Sequence, residues 1–269
     1  MNVNDKNQAF IHPDAKIGKN VSIGPFSYID KNVEIGDDTI VGPNVTILEY
    51  TKIGKGCKIS SGAVLGGLPQ DLKFEGEITS VEIGDNTIIR EFVTINRATK
   101  YAWTTKVGSD CLIMAYVHIA HDCILGNNIV LANNVNLAGH VIIDDFAILE
   151  GLVAVQQFTK IGSHSFIAGG SLVRKNVPPY VKAAREPLSY AGVNSIGLRR
   201  RGFTVESIHN IQDVYRILYV KNNNTTQALN IIEDTLDDSL EKNQIIDFIQ
   251  DVNKEIMKGF KRQGIEYKN

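Results

Sequence analysis

VGSDCLIMAYVHIAHDCILGNNIVLANN, residues 107–134, carries an aliphatic residue at every sixth position: Val107, Ile113, Ile119, Leu125 and Leu131. An internal repeat is the first thing to seek in a sequence, and this one runs far beyond the quoted stretch. Forward it continues through Leu137, Ile143, Leu149, Val155, Ile161 and Ile167 to Val173; backward, past two interruptions, it reaches Ile11. Of the 28 positions met in steps of six from Ile11 to Val173, 25 are Ile, Leu or Val. These three types supply 74 of 269 residues, so chance would give about 8.

Two further slots keep the same beat. Glycine often follows the aliphatic residue, as at Gly18, Gly36, Gly54, Gly108 and Gly126, and the slot four after it is small or β-branched, as at Ala15, Ser27, Val33 and Thr39. Such a hexad is the signature of a parallel β-helix. Each hexad supplies a short strand and a turn, with the aliphatic side chain inward. Three hexads make a triangular coil of 18 residues, and coils stack at about 4.8 Å. By likeness to other hexapeptide coils the expected hand is left, against the usual right-handed crossover. The expected fold is mainly β: a left-handed parallel β-helix of hexapeptide repeats with a C-terminal α-helical domain. The cysteines, Cys57, Cys111 and Cys123, all fall in the small slot, which predicts interior packing rather than a nucleophile.

Composition narrows the function classes. The 28 basic and 30 acidic residues leave a formal charge of −2, with no bias towards nucleic acid or an anionic membrane. No window resembles a membrane span, the start MNVNDKNQAF lacks a signal-type apolar run, and the sparse, odd cysteine count suits a reducing compartment. A soluble cytoplasmic protein is expected.

The stretches 67–80 (GLPQDLKFEGEITS) and 97–106 (RATKYAWTTK) break the repeat and read as loops leaving the coil. After VPPY the period changes. Residues 204–220 place Ile208, Ile211, Val214, Tyr215 and Leu218 on one helical face, with Thr204 as N-cap, and the run Asn222–Asn224 breaks that helix. Amphipathic segments are predicted around 226–238 and 239–260, the latter with a stripe of Ile245, Phe248, Ile249, Val252 and Ile256. The expected division is a coil over 1–187 and a helical domain over 188–269 that caps the open end.

Adding 18 stacks one coil on the next. His121 lies two after Ile119, in a turn; one coil on is Gly139 and the next is Gln157, while Asp122 lies below His140. His121, Asp122, Gly139 and His140 should therefore share one corner, with His118 approaching it. A histidine can accept a proton from a hydroxyl, a neighbouring carboxylate can hold its tautomer, and a glycine amide can serve an oxyanion. That set fits direct acyl transfer. At another corner the column Ala115, Asn133, Gly151, Gly169 is low in bulk, suited to an apolar chain or simply to tight turns.

With FIHPDAKIG, QDLKF, HIAHDC, LAGHV, VPPYV and GVNSIGLRRRGF, the chain resembles the UDP-N-acetylglucosamine O-acyltransferases of lipid A biosynthesis over nearly its whole length. The resemblance implies a homotrimer with active sites between subunits, and transfer of an (R)-3-hydroxyacyl group from acyl carrier protein to the sugar 3-hydroxyl, without cofactor or metal. It implies His121 as general base supported by Asp122, and Gly139 as oxyanion donor. Asp71, Lys73, His118 and His140 would meet the sugar; Gln157, Asn194, Arg200 and Arg201 would serve the nucleotide, and Gly169 would limit acyl length. Gln156 stands where the family often carries His, and Ile196 where some members carry Glu. Two related readings remain open. One is the N-acyltransferase that acts later on a sugar amine, although hexads starting at Ile11 leave no room for its extra N-terminal domain. The other is a zinc-dependent, carbonic-anhydrase-like hydratase on the same coil. A purely structural solenoid is the third possibility.

Overall fold

The computed structural model describes residues 8–220, 224–252 and 255–259. The N-terminal residues 1–7, Asn222 and Asn223 of the expected helix break, and parts of the last amphipathic segment lie outside the described residues. Most strands of the coil are only two residues long, and each pairs in parallel with its equivalent one lap later. His118 pairs with Asn136 and Ile119 with Leu137; Ile124 pairs with Ile142 and Val130 with Ile148. Three sheets result, one per side of the coil. The first has nine strands, from Phe10–Ile11 to Leu172–Val173, and the second eight, from Lys16–Ile17 to Lys160–Ile161. The third has eleven, starting at Ser22–Ile23.

The hexad aliphatics form ladders up the inside of the coil. Ile29, Ile47, Leu65, Ile95, Ile119 and Leu137 are fully buried on the first sheet, each side chain worth about 1.5–3 kcal/mol in water-to-core transfer. Ile17, in the first coil of the described residues, is 37% exposed. All three cysteines are buried and free, and burial pushes the Cys123 thiol up to about 12, which removes it from nucleophilic chemistry.

Most corners turn through one residue in the left-handed backbone region, and many of these are not glycine. Asn or Asp serves at Asn20, Asp38, Asp110 and Asn128, where a short polar side chain tolerates that conformation. Bulky residues serve at Phe92, Tyr116, His140, Phe146, Phe158 and His164. Their rings recur once per coil and so stack: Phe92 on Tyr116 at 5.3 Å, His140 on Phe158 at 4.2 Å, Phe146 on His164 at 4.8 Å. Stacking offsets the backbone cost.

Both interruptions leave from the corner between the first and second sheets. The strand Val64–Gly67 precedes one loop and Ser80–Ile83 follows it; Thr94–Asn96 and Thr104–Val107 flank the other. The loops are tied together. Lys100 Nζ lies 3.1 Å from Glu75, and the Lys100 N–H donates to Glu77. Asn96 Nδ2 donates to the Leu68 carbonyl at the base of the first loop.

Beyond the coil, the strands Val181–Ala184, Ser189–Val193 and Lys258–Gly259 extend the third sheet, the first two as an antiparallel hairpin. Among the described residues four helices follow the hairpin: α1 (Ser195–Arg200), α2 (Val205–Tyr219), α3 (Thr225–Thr235) and α4 (Leu240–Asp251). In α2 the expected stripe is buried and the Thr204 hydroxyl caps the Ser207 N–H. Helix α4 stops nine residues short of the expected 260, since Val252 is extended (φ −83°, ψ 129°). The chain then bonds across to the coil, with the Met257 N–H donating to the Asn176 carbonyl. Val252 and Ile256 fit the helical spacing, but pairing with the sheet overrides the local period. The helices cover the end of the coil: Tyr180 Oη donates to Gln244, and Lys160 Nζ pairs with Asp251 at 3.1 Å above the Phe248 ring.

Candidate active site

His121 and Asp122 sit on the turn that joins the strand His118–Ile119 to Ile124–Leu125, at the corner from which both loops emerge. The imidazole points away from the coil interior, yet it is only 8% exposed. Gly139 lies directly over it on the next coil. A Cβ at Gly139 would fall 2.5 Å from His121 Cε1 and 2.7 Å from Nε2, so glycine is what admits the ring. Among the described residues the Gly139 N–H makes no hydrogen bond.

Asp122 is the most constrained group of the site. Its side chain is wholly buried, and its Oδ2 lies 2.7 Å from His121 Nδ1. The second loop supplies the remaining donors: the Thr99 N–H (3.0 Å), the Thr99 hydroxyl (2.8 Å) and the Ala102 N–H (3.0 Å). Burial alone would raise this carboxyl, but the bonds from His121, Thr99 and Ala102 outweigh it and hold it at about 2. An ionised carboxylate only accepts, so His121 Nδ1 carries the proton and Nε2 presents the lone pair. The Asp122 N–H in turn donates to the Thr105 hydroxyl. Thr99, Ala102 and Thr105 were not legible as site residues; the only hint was that their stretch breaks the repeat.

The other expected residues divide by corner. His140 joins His121 edge-on at 5.1 Å, stacked on Phe158 and capped by the edge of Tyr101 at 4.5 Å. Its Nδ1 is buried without a hydrogen-bond partner, and burial lowers its basicity. The first loop brings Asp71 beside this pair: one donor atom each from Asp71, His121 and His140 lie within 4.8 Å of one another. Lys73 is near enough for its charge to act on His140. His118 faces out from the first sheet with Nδ1 2.7 Å from the Thr94 hydroxyl, and burial lowers its basicity too. Gln157 occupies the same corner one coil above Gly139, beside Phe158, and is exposed.

Four residues lie elsewhere. Asn194 caps α1 and donates from Nδ2 to the His164 carbonyl; Arg201 donates to the Phe146 carbonyl, its guanidinium over that ring. Both sit at the corner between the second and third sheets. Arg200 is exposed on α1. Gly169 lies at the third corner, its N–H bonded to Glu150 Oε2. A Cβ there would approach the Gly151 carbonyl at 3.2 Å, so close coil stacking favours glycine at this position whatever else it does. One chain therefore brings together His121, Asp122, Gly139, His140 and Asp71, but not Asn194, Arg201 or Gly169.

Triangular coil, buried His–Asp pair and interruption loops on one corner define a hexapeptide-repeat transferase. Residues 14–49, 32–67 and 104–139 match the bacterial transferase hexapeptide family, and residues 176–260 match the family described as Udp N-acetylglucosamine O-acyltransferase, domain 2. The acyl-[acyl-carrier-protein]–UDP-N-acetylglucosamine O-acyltransferase of Thiobacillus denitrificans is 40% identical over 93% of this chain and 97% of its own length. That of Aliivibrio fischeri strain MJ11 is 43% identical over 83% and 87%. The crystal structure of LpxA, a UDP-N-acetylglucosamine acyltransferase from Bacteroides fragilis, superposes with a TM-score of 0.92 at 48% identity, over 93% of this chain and 98% of its own. The Francisella novicida UDP-N-acetylglucosamine acyltransferase gives 0.91 at 42%, over 93% and 92%. The chain belongs to the UDP-N-acetylglucosamine O-acyltransferase family, and its coil is the left-handed β-helix of that family. No helix among the described residues is long and apolar enough to cross a membrane.

Proposed function

We propose that this protein transfers an (R)-3-hydroxyacyl group from acyl carrier protein to the 3-hydroxyl of UDP-N-acetylglucosamine, the opening step of lipid A biosynthesis, in the cytoplasm. The observation that carries the reading is the His121–Asp122 pair beneath Gly139. His121 Nε2 takes the proton of the sugar hydroxyl as that oxygen attacks the thioester carbonyl. The carbonyl oxygen becomes an oxyanion and accepts from the Gly139 N–H. Collapse breaks the carbon–sulfur bond, and the imidazolium returns its proton to the departing thiolate. Asp122 holds the tautomer and stabilises the imidazolium. General-base catalysis of this kind is worth about 10²–10⁴-fold, and an oxyanion donor about 10²–10³-fold.

Asp71, Lys73, His118 and His140 are assigned to the sugar, and Gln157, Asn194, Arg200 and Arg201 to the nucleotide. Gly169 is assigned to the end of the acyl chain. Asn194, Arg201 and Gly169 lie at other corners than His121, which favours a homotrimer whose sites are shared between subunits. The coil (1–187) would carry the chemistry and the helical part (188–269) the nucleotide contacts. The test is to offer the purified protein a panel of 3-hydroxyacyl carrier proteins with UDP-N-acetylglucosamine and weigh the product. A 3-O-acyl nucleotide sugar that disappears in His121→Ala, with the fold retained, is the expected result. Absence of any O-acylated product, or hydration of carbon dioxide in its place, overturns the proposal.

A further inference from the structure

The corner that presents the proposed base also presents a set of metal donors. His121 Nδ1 is engaged by Asp122 at 2.7 Å, so the donor it has left is Nε2. A histidine whose second nitrogen is held by a carboxylate is the usual arrangement behind a transition metal, because it fixes the ring and strengthens the ligand. His140 adds a second imidazole. Its Nδ1 is buried with no hydrogen-bond partner, 3.9 Å from Asp122 Oδ2, and its side chain is nine-tenths buried. Asp71 adds a carboxylate from the first loop, and one donor atom from each of the three residues lies within 4.8 Å of the others.

We propose that Asp71, His121 and His140 form a binding site for a zinc-type divalent cation that reversibly switches the protein off by occupying the lone pair of the base. The inference rests on the reading of His121 as base for its effect on activity, but not for the binding itself. Two imidazoles and one carboxylate select zinc over magnesium, which takes oxygen ligands and keeps its waters. Zinc bonds of about 2.0–2.2 Å place ligand atoms about 3.4 Å apart, so the set must close by up to about 1.4 Å from separations within 4.8 Å. The two histidine rings are wedged in the corner by Gly139 and Phe158. Asp71, half-exposed on its loop, is the group that moves. Asp71 and Asp122 offset the cation's charge, while Lys73 opposes it. The fourth position is left for water.

The experiment uses the full chain in metal-stripped buffer. Equilibrium dialysis against micromolar zinc, with elemental analysis, should find one zinc per chain. Cobalt in its place should give the visible absorption of a four-coordinate site. Zinc should lower acyl transfer at least tenfold, a chelator should restore it, and magnesium at the same concentration should not inhibit. Asp71→Asn and His140→Asn, which remove direct ligands, should each weaken zinc binding by more than the roughly 10–100-fold lost with an outer-shell partner, while His209→Asn, on α2, leaves it unchanged; circular dichroism checks that each variant is folded. UDP-N-acetylglucosamine should compete with zinc in the wild-type protein, a measurement that needs no variant. Zinc bound equally by wild type, Asp71→Asn and His140→Asn, or an active protein that takes up no zinc, overturns the inference. Zinc binding that follows these residues in a protein without acyl transfer overturns the proposed function and leaves the site standing.

Discussion

Gly139→Ala is the sharpest perturbation of this site, because it adds one methyl group and removes no polar group. The backbone at Gly139 lies outside the left-handed region, so alanine fits the chain itself. The new Cβ, however, would stand 2.5 Å from His121 Cε1, 2.7 Å from Nε2 and 3.1 Å from Nδ1. Ordinary contact begins near 3.4 Å, so the ring must retreat by about 1 Å. Its retreat is resisted by the 2.7 Å bond to Asp122, whose carboxylate is itself held by Thr99 and Ala102. A displacement of about 1 Å at a reacting group costs about 100-fold in rate, or about 2.7 kcal/mol. The Gly139 N–H survives the substitution, so the loss belongs to the imidazole rather than to the oxyanion donor. Overpacking of one methyl costs about 1–3 kcal/mol of stability, and Tm should fall by less than about 10 °C. The assay is steady-state acyl transfer followed by product mass, beside a thermal melt. An alanine variant with wild-type kcat/KM would refute the placement of His121 beneath Gly139.

Thr99→Val removes the hydroxyl that donates to Asp122 Oδ2 and leaves a buried, charged acceptor one bond short. Stability in urea should fall by about 1.5–3 kcal/mol, with Thr99→Ser restoring it. His164 is held neutral by burial, with help from the Arg201 charge, at about 4 against an ordinary 6.5. A histidine depressed on folding contributes its full stability above about 6.5 and loses it as pH falls towards 4. After discounting for partial exposure the loss is about 2 kcal/mol. His164→Phe keeps the stack on Phe146 and Tyr180 and should flatten that part of the pH–stability curve. Leu131→Ala, at a fully buried rung of the ladder, should cost about 2–5 kcal/mol in chemical denaturation, far more than any substitution at the exposed Arg174–Glu186 pair.

Local spacing was enough for much of the fold: the period of six defined the coil, the inward ladder and the interior cysteines, and the helical period beyond it defined the buried face of α2. The period of six also placed His121 beneath Gly139 and Asp122 beneath His140, since an unbroken repeat turns sequence distance into height along the axis. Loop contacts were beyond its reach. Nothing periodic links Thr99 or Ala102 to Asp122; the second loop has its own path, and only its folded course brings three donors onto one carboxylate. The end of α4 was misjudged for a similar reason: Ile256 keeps the helical spacing, but Met257 bonds to Asn176, far back in the chain. The triangular section also separated residues that the resemblance had grouped. Asn194 and Arg201, at the two ends of α1, bond to the corner after the second sheet, and Gly169 lies in the corner after the third, while His121 stands at the remaining one. Sequence by itself therefore determined which residues share a rung. Tertiary structure decided where the residues beyond the repeat, such as Asn194 and Arg201, meet the triangle and what the loops lay over it, because those depend on contacts between segments that no local repeat encodes.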